Sequence, residues 1–250
     1  TLRRVRFASL RISRANLRGW KRQLTGHAVT SITRRGKFIL VGLSDDHTMV
    51  IHLRMTGRLW VKPLPYRRSP YDRCVIELAS GRVLILADTR QFARVQWVGP
   101  GRLDTHPSLE ILGPDALTIQ LDELRVLLRQ SRRPIKALLL DQTRIAGLGN
   151  IYVDESLHAA GIRPTVPSSR LGRERVIRLR AAIVDILTRA IAACGTTFDT
   201  FSDVGGEAGG FGPQLRVYHR HGQPCDQCGA RIRRIVIAGR GTHYCPRCQR

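Results

Sequence analysis

Ala146-Gly147-Leu148-Gly149-Asn150-Ile151-Tyr152-Val153-Asp154-Glu155-Ser156 passes from glycine-rich to polar to helical within one short stretch. Glycines let backbone approach a ligand closely, and the first turn of the helix that follows offers unpaired N–H groups and a positive dipole end, a pairing suited to phosphate. The helix is expected over residues 154–160, with Gly161 as its stop. Upstream, Pro134 stands like a first-turn residue for a helix over Ile135-Lys136-Ala137-Leu138-Leu139-Leu140, and Leu121, Leu124, Leu127 and Leu128 recur at helical spacing. Downstream, a long helix is expected over residues 173–193, stopping at Gly195.

The first hundred residues read differently. Phe38-Ile39-Leu40-Val41-Gly42-Leu43, Met49-Val50-Ile51-His52-Leu53, Cys74-Val75-Ile76-Glu77-Leu78, Val83-Leu84-Ile85-Leu86 and Val95-Gln96-Trp97-Val98 are strand-like, with turn signals such as Ser44-Asp45-Asp46 and Ser80-Gly81 between them. A β-sandwich or a barrel follows. The change of period places a domain boundary between residues 100 and 120, around Pro100-Gly101 and Gly113-Pro114.

At the other end, Cys225-x-x-Cys228 and Cys245-x-x-Cys248 flank a segment of hairpin length, residues 231–243, rich in β-branched residues. Two such pairs supply four thiolates to one tetrahedral zinc ion, and a site closed by four sulfurs is structural because it leaves no position for water. Two disulfides are the alternative, disfavoured by the close spacing within each pair and by a reducing compartment. Cys74 and Cys194 are expected to be packing residues. Arg231, Arg233, Arg234 and Arg240 lie on the hairpin segment, and Gly239-Arg240-Gly241 favours a tight turn with Arg240 projecting from it.

The 250 residues carry 42 Lys and Arg against 19 Asp and Glu, a formal net charge of +23, with a hydrophobic content of 42% that suffices for a packed core. The excess is mostly arginine and runs along the whole chain, so the folded surface itself is basic and a polyanion, nucleic acid first, is the expected partner. No run of about eighteen apolar residues suggests a membrane span. The N-terminal Thr1-Leu2-Arg3-Arg4-Val5-Arg6-Phe7 lacks the apolar core of a secretory signal, so a cytoplasmic protein is expected; it is expected to act as a monomer, without membrane partners.

Together these segments resemble the formamidopyrimidine-DNA glycosylase family, whose relatives include endonuclease VIII. Further matches are Arg34-Arg35-Gly36-Lys37-Phe38, His52-Leu53-Arg54-Met55-Thr56-Gly57, Asp88-Thr89-Arg90-Gln91-Phe92 and Leu112-Gly113-Pro114-Asp115, in family order over nearly the whole chain. The resemblance implies an α+β fold. Its parts are a β-sandwich lobe (1–110), a helical helix–two-turn–helix lobe (111–204), a base-capping loop and linker (205–220) and a zinc-finger hairpin (221–250), with duplex DNA in the cleft between the lobes. It implies a base-excision glycosylase with abasic-site lyase activity that removes oxidised purines such as 8-oxoguanine and formamidopyrimidines. The damaged nucleotide is rotated out of the stack, because its glycosidic bond is otherwise unreachable.

The resemblance also assigns roles. Met55, Arg90 and Phe92 fill the gap, as an apolar probe, a reader of the orphaned base and an aromatic wedge; the alternative for Met55 and Phe92 is an ordinary core position. Lys37, His52, Asn150, Tyr218 and Arg240, with Arg132 more loosely, contact phosphate, and Lys37 and Arg240 contribute at the sugar-phosphate during catalysis. Glu207 to Phe211, including Gly210 where the family often has a hydroxyl residue, close over the extruded base. Tyr71, followed by Asp72-Arg73, replaces a phosphate-contacting histidine, which puts that contact in doubt. Cys225, Cys228, Cys245 and Cys248 hold the zinc.

The family's nucleophile is an N-terminal proline followed by glutamate. Its secondary amine attacks C1′ and forms an imine, which acidifies the neighbouring sugar protons and permits elimination of the phosphates. Here Thr1 falls on the first strand after the family's opening helix, so a chain beginning at Thr1 is expected to bind DNA without catalysis. A non-catalytic damaged-DNA-binding paralogue is the alternative reading, and a zinc-ribbon transcription factor leaves the β-rich half unexplained.

Overall fold

The computed structural model describes residues 1–7, 24–197 and 203–250. Two units form, Thr1–Glu110 with Cys194–Gly210 and Ile111–Ala193 with Phe211–Arg250. The segment expected as one capping loop and linker is thus divided after Gly210, and residues 198–202 of the expected helical lobe lie outside the described residues.

In the first unit the strands are β1 (Leu2–Phe7), β2 (Val29–Arg35), β3 (Phe38–Leu43), β4 (Thr48–His52), β5 (Gly57–Pro63), β6 (Asp72–Leu78), β7 (Arg82–Asp88) and β8 (Arg94–Val98), most of them from branched and aromatic runs. They make two antiparallel four-stranded sheets, ordered β1-β6-β7-β5 and β2-β3-β4-β8. Val5, Cys74, Ile76 and Leu86 of one sheet pack with Val41, Met49, Ile51 and Val95 of the other, so the arrangement is a sandwich rather than a barrel. Each Val, Ile, Leu or Met among them stabilises by about 1.5–3 kcal/mol on burial. Val83, Ile85 and Ala87 face away from that layer and are covered by Trp60 and Tyr66, which explains why the run 83–87 shows no polar alternation.

Three strands lie outside the branched runs. β2 reads Val-Thr-Ser-Ile-Thr-Arg-Arg, with every residue but the last exposed, and its pairing with β3 makes it an edge strand. β5 is half-buried along its length and paired with β7. β1 was expected only from the resemblance. Neighbouring strands supply here what the local pattern lacks.

The second unit holds most of the helices. After the single-turn α1 (Pro107–Glu110) of the first unit come α2 (Leu121–Arg129), α3 (Ile135–Leu139), α4 (Asn150–Ala159) and α5 (Arg173–Ala192). Leu124, Leu128, Ile135, Leu138, Leu139, Val153, Leu157, Leu179 and Ile183 form one buried cluster. α4 begins four residues before the expected Asp154, because Gly149 takes an extended N-cap conformation and releases Asn150 into the first turn. Gly161 follows it with φ 68°, as its stop position requires. Cys194, expected to pack, is exposed instead: it takes φ 55° in the turn that ends α5. Cys74 does pack, and burial pushes its thiol up to about 12.

The finger hairpin is β9 (Arg233–Ile237) paired with β10 (Arg240–Tyr244). Its turn is Ala238-Gly239, at φ 48° and 70°, not Gly239-Arg240-Gly241; two-residue hairpin turns favour left-handed backbone at both positions. Arg240 is therefore the first residue of β10, opposite Ile237, and is exposed. Among the described residues no helix is long and apolar enough to cross a membrane.

Candidate nucleic-acid interface and metal centre

In the first unit, Met55 is 60% and Phe92 44% exposed, which excludes the core reading for both. The Arg90 guanidinium lies 5.0 Å from the centre of the Phe92 ring, so these two side chains form a cation–π pair at the surface. Each turn carries a strained residue: Arg54, just before Met55, has φ 58°, and Gln91, between Arg90 and Phe92, has φ 57°. Arg94 Nη1 donates to the carbonyls of Gln91, Phe92 and Ala93 at 3.3, 3.2 and 3.0 Å, bracing the second turn from below. Arg94 was not singled out in the sequence, where an arginine opening a strand looks like surface charge.

Lys37 is exposed in the two-residue turn between β2 and β3, where Gly36 takes φ 57°. The strand register then places Phe38 opposite His52, and the two rings meet edge-on with centres 4.6 Å apart. Burial, then the positive charges of Arg54 and Lys37, lower His52 to about 4, so the ring is neutral at neutral pH. Its Nδ1 accepts from Arg54 N at 3.0 Å, which leaves the proton on Nε2 and makes His52 a neutral donor beside a cationic lysine. Tyr71 is 51% exposed on the wall of a separate recess of about 220 Å³ shared with Arg58 and Trp60.

In the second unit, Asn150 and Tyr218 come together with His219, His221, Arg234 and His243 around a recess of about 370 Å³. Asn150 Nδ2 donates to Gly241 O at 3.1 Å, so the residue next to Arg240 shares the same wall. His219 takes φ 60° directly after Tyr218. The supports of this recess are residues that the sequence did not single out. Lys136 Nζ, wholly buried, donates to Asp154 Oδ1 at 2.6 Å and to Gly241 O at 3.0 Å, while Asp154 Oδ2 accepts from His243 N at 2.8 Å. Burial lowers the Lys136 ammonium from its ordinary value, against the pull of Asp154.

Glu155, 2% exposed, accepts from the backbone N–H groups of Arg216, Val217 and Tyr218 at 2.8, 3.0 and 2.8 Å and so sets the approach to the finger. The available signal was a lysine inside the apolar run Ile135–Leu139 and two acids in the second turn of a packed helix, since charges so placed need partners. Of the basic pair before α3, Arg133 is bound to Asp141 at 2.8 Å, whereas Arg132 is exposed.

Glu207 and Gly210 are exposed in the first unit. Asp203 Oδ1 accepts from Gly206 N and Glu207 N, both at 2.8 Å, and Lys62 Nζ donates to Gly205 O at 2.8 Å. Phe211 ends the segment expected to cap the base. It is 0% exposed and packs among Ile186, Ala190 and Leu215, so it anchors the end of the loop in the helical core.

The four sulfurs of Cys225, Cys228, Cys245 and Cys248 lie within 4.8 Å of one another, with Cys225 to Cys248 at 3.8 Å and Cys228 to Cys245 at 3.4 Å. A tetrahedron of thiolates at the usual zinc–sulfur distance of about 2.3 Å has edges of about 3.8 Å, so the set fits one zinc ion. When bound, the ion supplies cross-linking of the two turns and no open coordination position. His158, 3% exposed, places Nε2 3.7 Å from Cys225 Sγ. Arg220 braces the finger from the linker side through Asp226, at 2.6 and 2.7 Å.

Three family models match the chain: the formamidopyrimidine-DNA glycosylase N-terminal domain over residues 1–95, the formamidopyrimidine-DNA glycosylase H2TH domain over 112–202, and a zinc finger found in FPG and IleRS over 222–250. A formamidopyrimidine-DNA glycosylase of Pediococcus pentosaceus is 40% identical over 247 residues, 98% of this chain and 89% of the relative. The Fpg of Lactococcus lactis in complex with DNA containing an abasic site superposes with a TM-score of 0.93 at 34% identity, covering 100% of this chain and 92% of that one. The same protein with DNA containing N7-benzyl-Fapy-dG superposes with a TM-score of 0.93 at 33% identity and the same coverage. Sandwich, helical lobe and four-cysteine finger follow one another in a single order, and the chain belongs to the formamidopyrimidine-DNA glycosylase family of DNA-repair glycosylases.

Proposed function

We propose that this protein excises oxidised purines, 8-oxoguanine and formamidopyrimidines among them, from duplex DNA and cleaves the resulting abasic site. The observation that carries the reading is the exposure of Met55 and Phe92 on turns with strained, braced backbone. Apolar side chains in that setting suit insertion into a base stack, where an apolar wedge offsets part of the cost of unstacking. Arg90, held against Phe92, is the polar member that meets the orphaned base. Lys37 and the neutral donor His52 grip the phosphate backbone from the sandwich; Asn150, Tyr218, Arg240 and Arg132 do so from the helical lobe and finger. Lys37 and Arg240 act next to the reacting sugar as fixed positive charges. Glu207 and Gly210 close over the extruded base, and Tyr71 stands where the family has a phosphate-contacting histidine.

Incubation with an 8-oxoguanine duplex and with a plain abasic duplex tests the assignment. Strand scission of both, with oxoguanine released from the first, is the expected result for protein carrying the family's Pro-Glu start ahead of Thr1. Retention of either duplex without scission identifies a damaged-DNA-binding protein instead.

A further inference from the structure

Asp88 closes β7 and pairs in register with Gly57, the first residue of β5, so it stands between the two surface turns. It is 1% exposed, and a buried carboxylate needs several donors. Its Oδ1 accepts from Thr56 Oγ1 at 2.5 Å and from Arg90 N at 3.1 Å; its Oδ2 accepts from Ala93 N at 2.7 Å. Its backbone is fixed as well, with Asp88 N donating to Tyr71 O at 3.0 Å and Arg73 Nε donating to Asp88 O at 2.7 Å. One oxygen therefore touches both turns. Thr56 follows Met55 directly, and Arg90 and Ala93 bracket Gln91 and Phe92.

We propose that Asp88 is a positioning residue for DNA opening, tying the turn that carries Met55 to the turn that carries Arg90 and Phe92 so that the three side chains enter the duplex as one preset wedge. The inference rests on the reading of these three as gap-filling side chains. Sheet pairing alone aligns β5 with β7 but leaves the turns beyond the strand ends unconstrained. Both contain a non-glycine residue in left-handed backbone, a conformation that persists only where surroundings over-determine it. The carboxylate supplies the constraint common to both turns, beside the Arg94 brace on the second. Burial by itself raises the pKa of Asp88, yet the donors outweigh it and hold the group below its ordinary value, as expected of a permanently ionised brace.

The test compares affinity for an intact duplex with affinity for a duplex holding a tetrahydrofuran abasic analogue opposite 2-aminopurine. The parent is set beside Asp88→Asn, Thr56→Val, the double variant Met55→Ala/Phe92→Ala, and that double variant with Asp88→Asn added. Asp88→Asn is expected to lower the preference for the abasic duplex about tenfold and Thr56→Val about threefold, with the 2-aminopurine fluorescence rise reduced in parallel. In the Met55→Ala/Phe92→Ala background, adding Asp88→Asn is expected to change nothing further, since residues acting through one another are non-additive. Unchanged preference in Asp88→Asn overturns the proposal, as do losses that multiply independently of Met55 and Phe92. Should Asp88→Asn fail to fold, Thr56→Val, which keeps the carboxylate, decides by the same criteria. If Met55→Ala/Phe92→Ala itself leaves the parent's preference intact, the underlying assignment of the wedge fails instead.

Discussion

Lys136 and Asp154 meet at 2.6 Å with neither side chain reaching solvent, and each also bonds the backbone of β10, at Gly241 and His243. The finger hairpin is thus fastened to α4 by a buried charge pair rather than by apolar packing alone. Removing one member strands the other in low dielectric. Lys136→Met is expected to destabilise the protein by about 3–5 kcal/mol, and Lys136→Met/Asp154→Leu by clearly less than the single change. Urea unfolding of the three proteins checks this; a double variant weaker than the single one would contradict it.

His158 lies against Cys225, where a hydrogen bond to a metal thiolate orients the ligand. His158→Phe is expected to speed transfer of zinc to a chromogenic chelator about tenfold. Arg240→Ala, by contrast, is expected to keep one zinc per chain while weakening duplex binding and reducing the salt slope of log K by about one. Zinc loss in Arg240→Ala would show that the metal and DNA roles of the hairpin are not separable.

Exposure of Met55 and Phe92 separates stability from function at these positions. Met55→Ala and Phe92→Ala should each move unfolding free energy by no more than about 0.5 kcal/mol. Core residues of the same size cost about 2–5 kcal/mol when truncated. Thermal or urea melts read the difference, and a core-sized loss at either position would return it to the packing category.

The depressed His52 gives an acid limb. The folded ring takes its proton at about 4, the unfolded one at histidine's ordinary 6.5, so between these values the unfolded state binds more protons. Stability contributed by neutral His52 is complete above 6.5 and is lost as pH falls through the folded pKa. His52→Gln should flatten this part of the stability profile without altering the slope above pH 7. An unchanged acid limb would mean that other groups produce it.

Much of this was legible because the decisive chemistry sits in short, locally determined stretches. The paired cysteines state their own geometry, and Phe38–Leu43 or Arg233–Ile237 are strands by composition. What was hidden depends on partners distant in the chain. Nothing local distinguishes Asp154, which clamps β10, from an exposed helical aspartate, or Phe211, which packs in a core, from an exposed phenylalanine. β2 escaped because an edge strand needs only one neighbour, and α4 began early because Gly149 adopted a cap conformation that its flexibility permits equally with others.

The turn at Ala238-Gly239 fixes more than the tip of the hairpin. Along β10, backbone groups alternate between bonding β9 and facing outward, and Gly241 O and His243 N are the outward set that Lys136, Asn150 and Asp154 bind. One residue inserted at the tip would shift β9 against β10 by half a repeat, offering the wrong parity of backbone groups to α4. Length variation at this tip is therefore restricted to even steps, or to odd ones absorbed by a bulge.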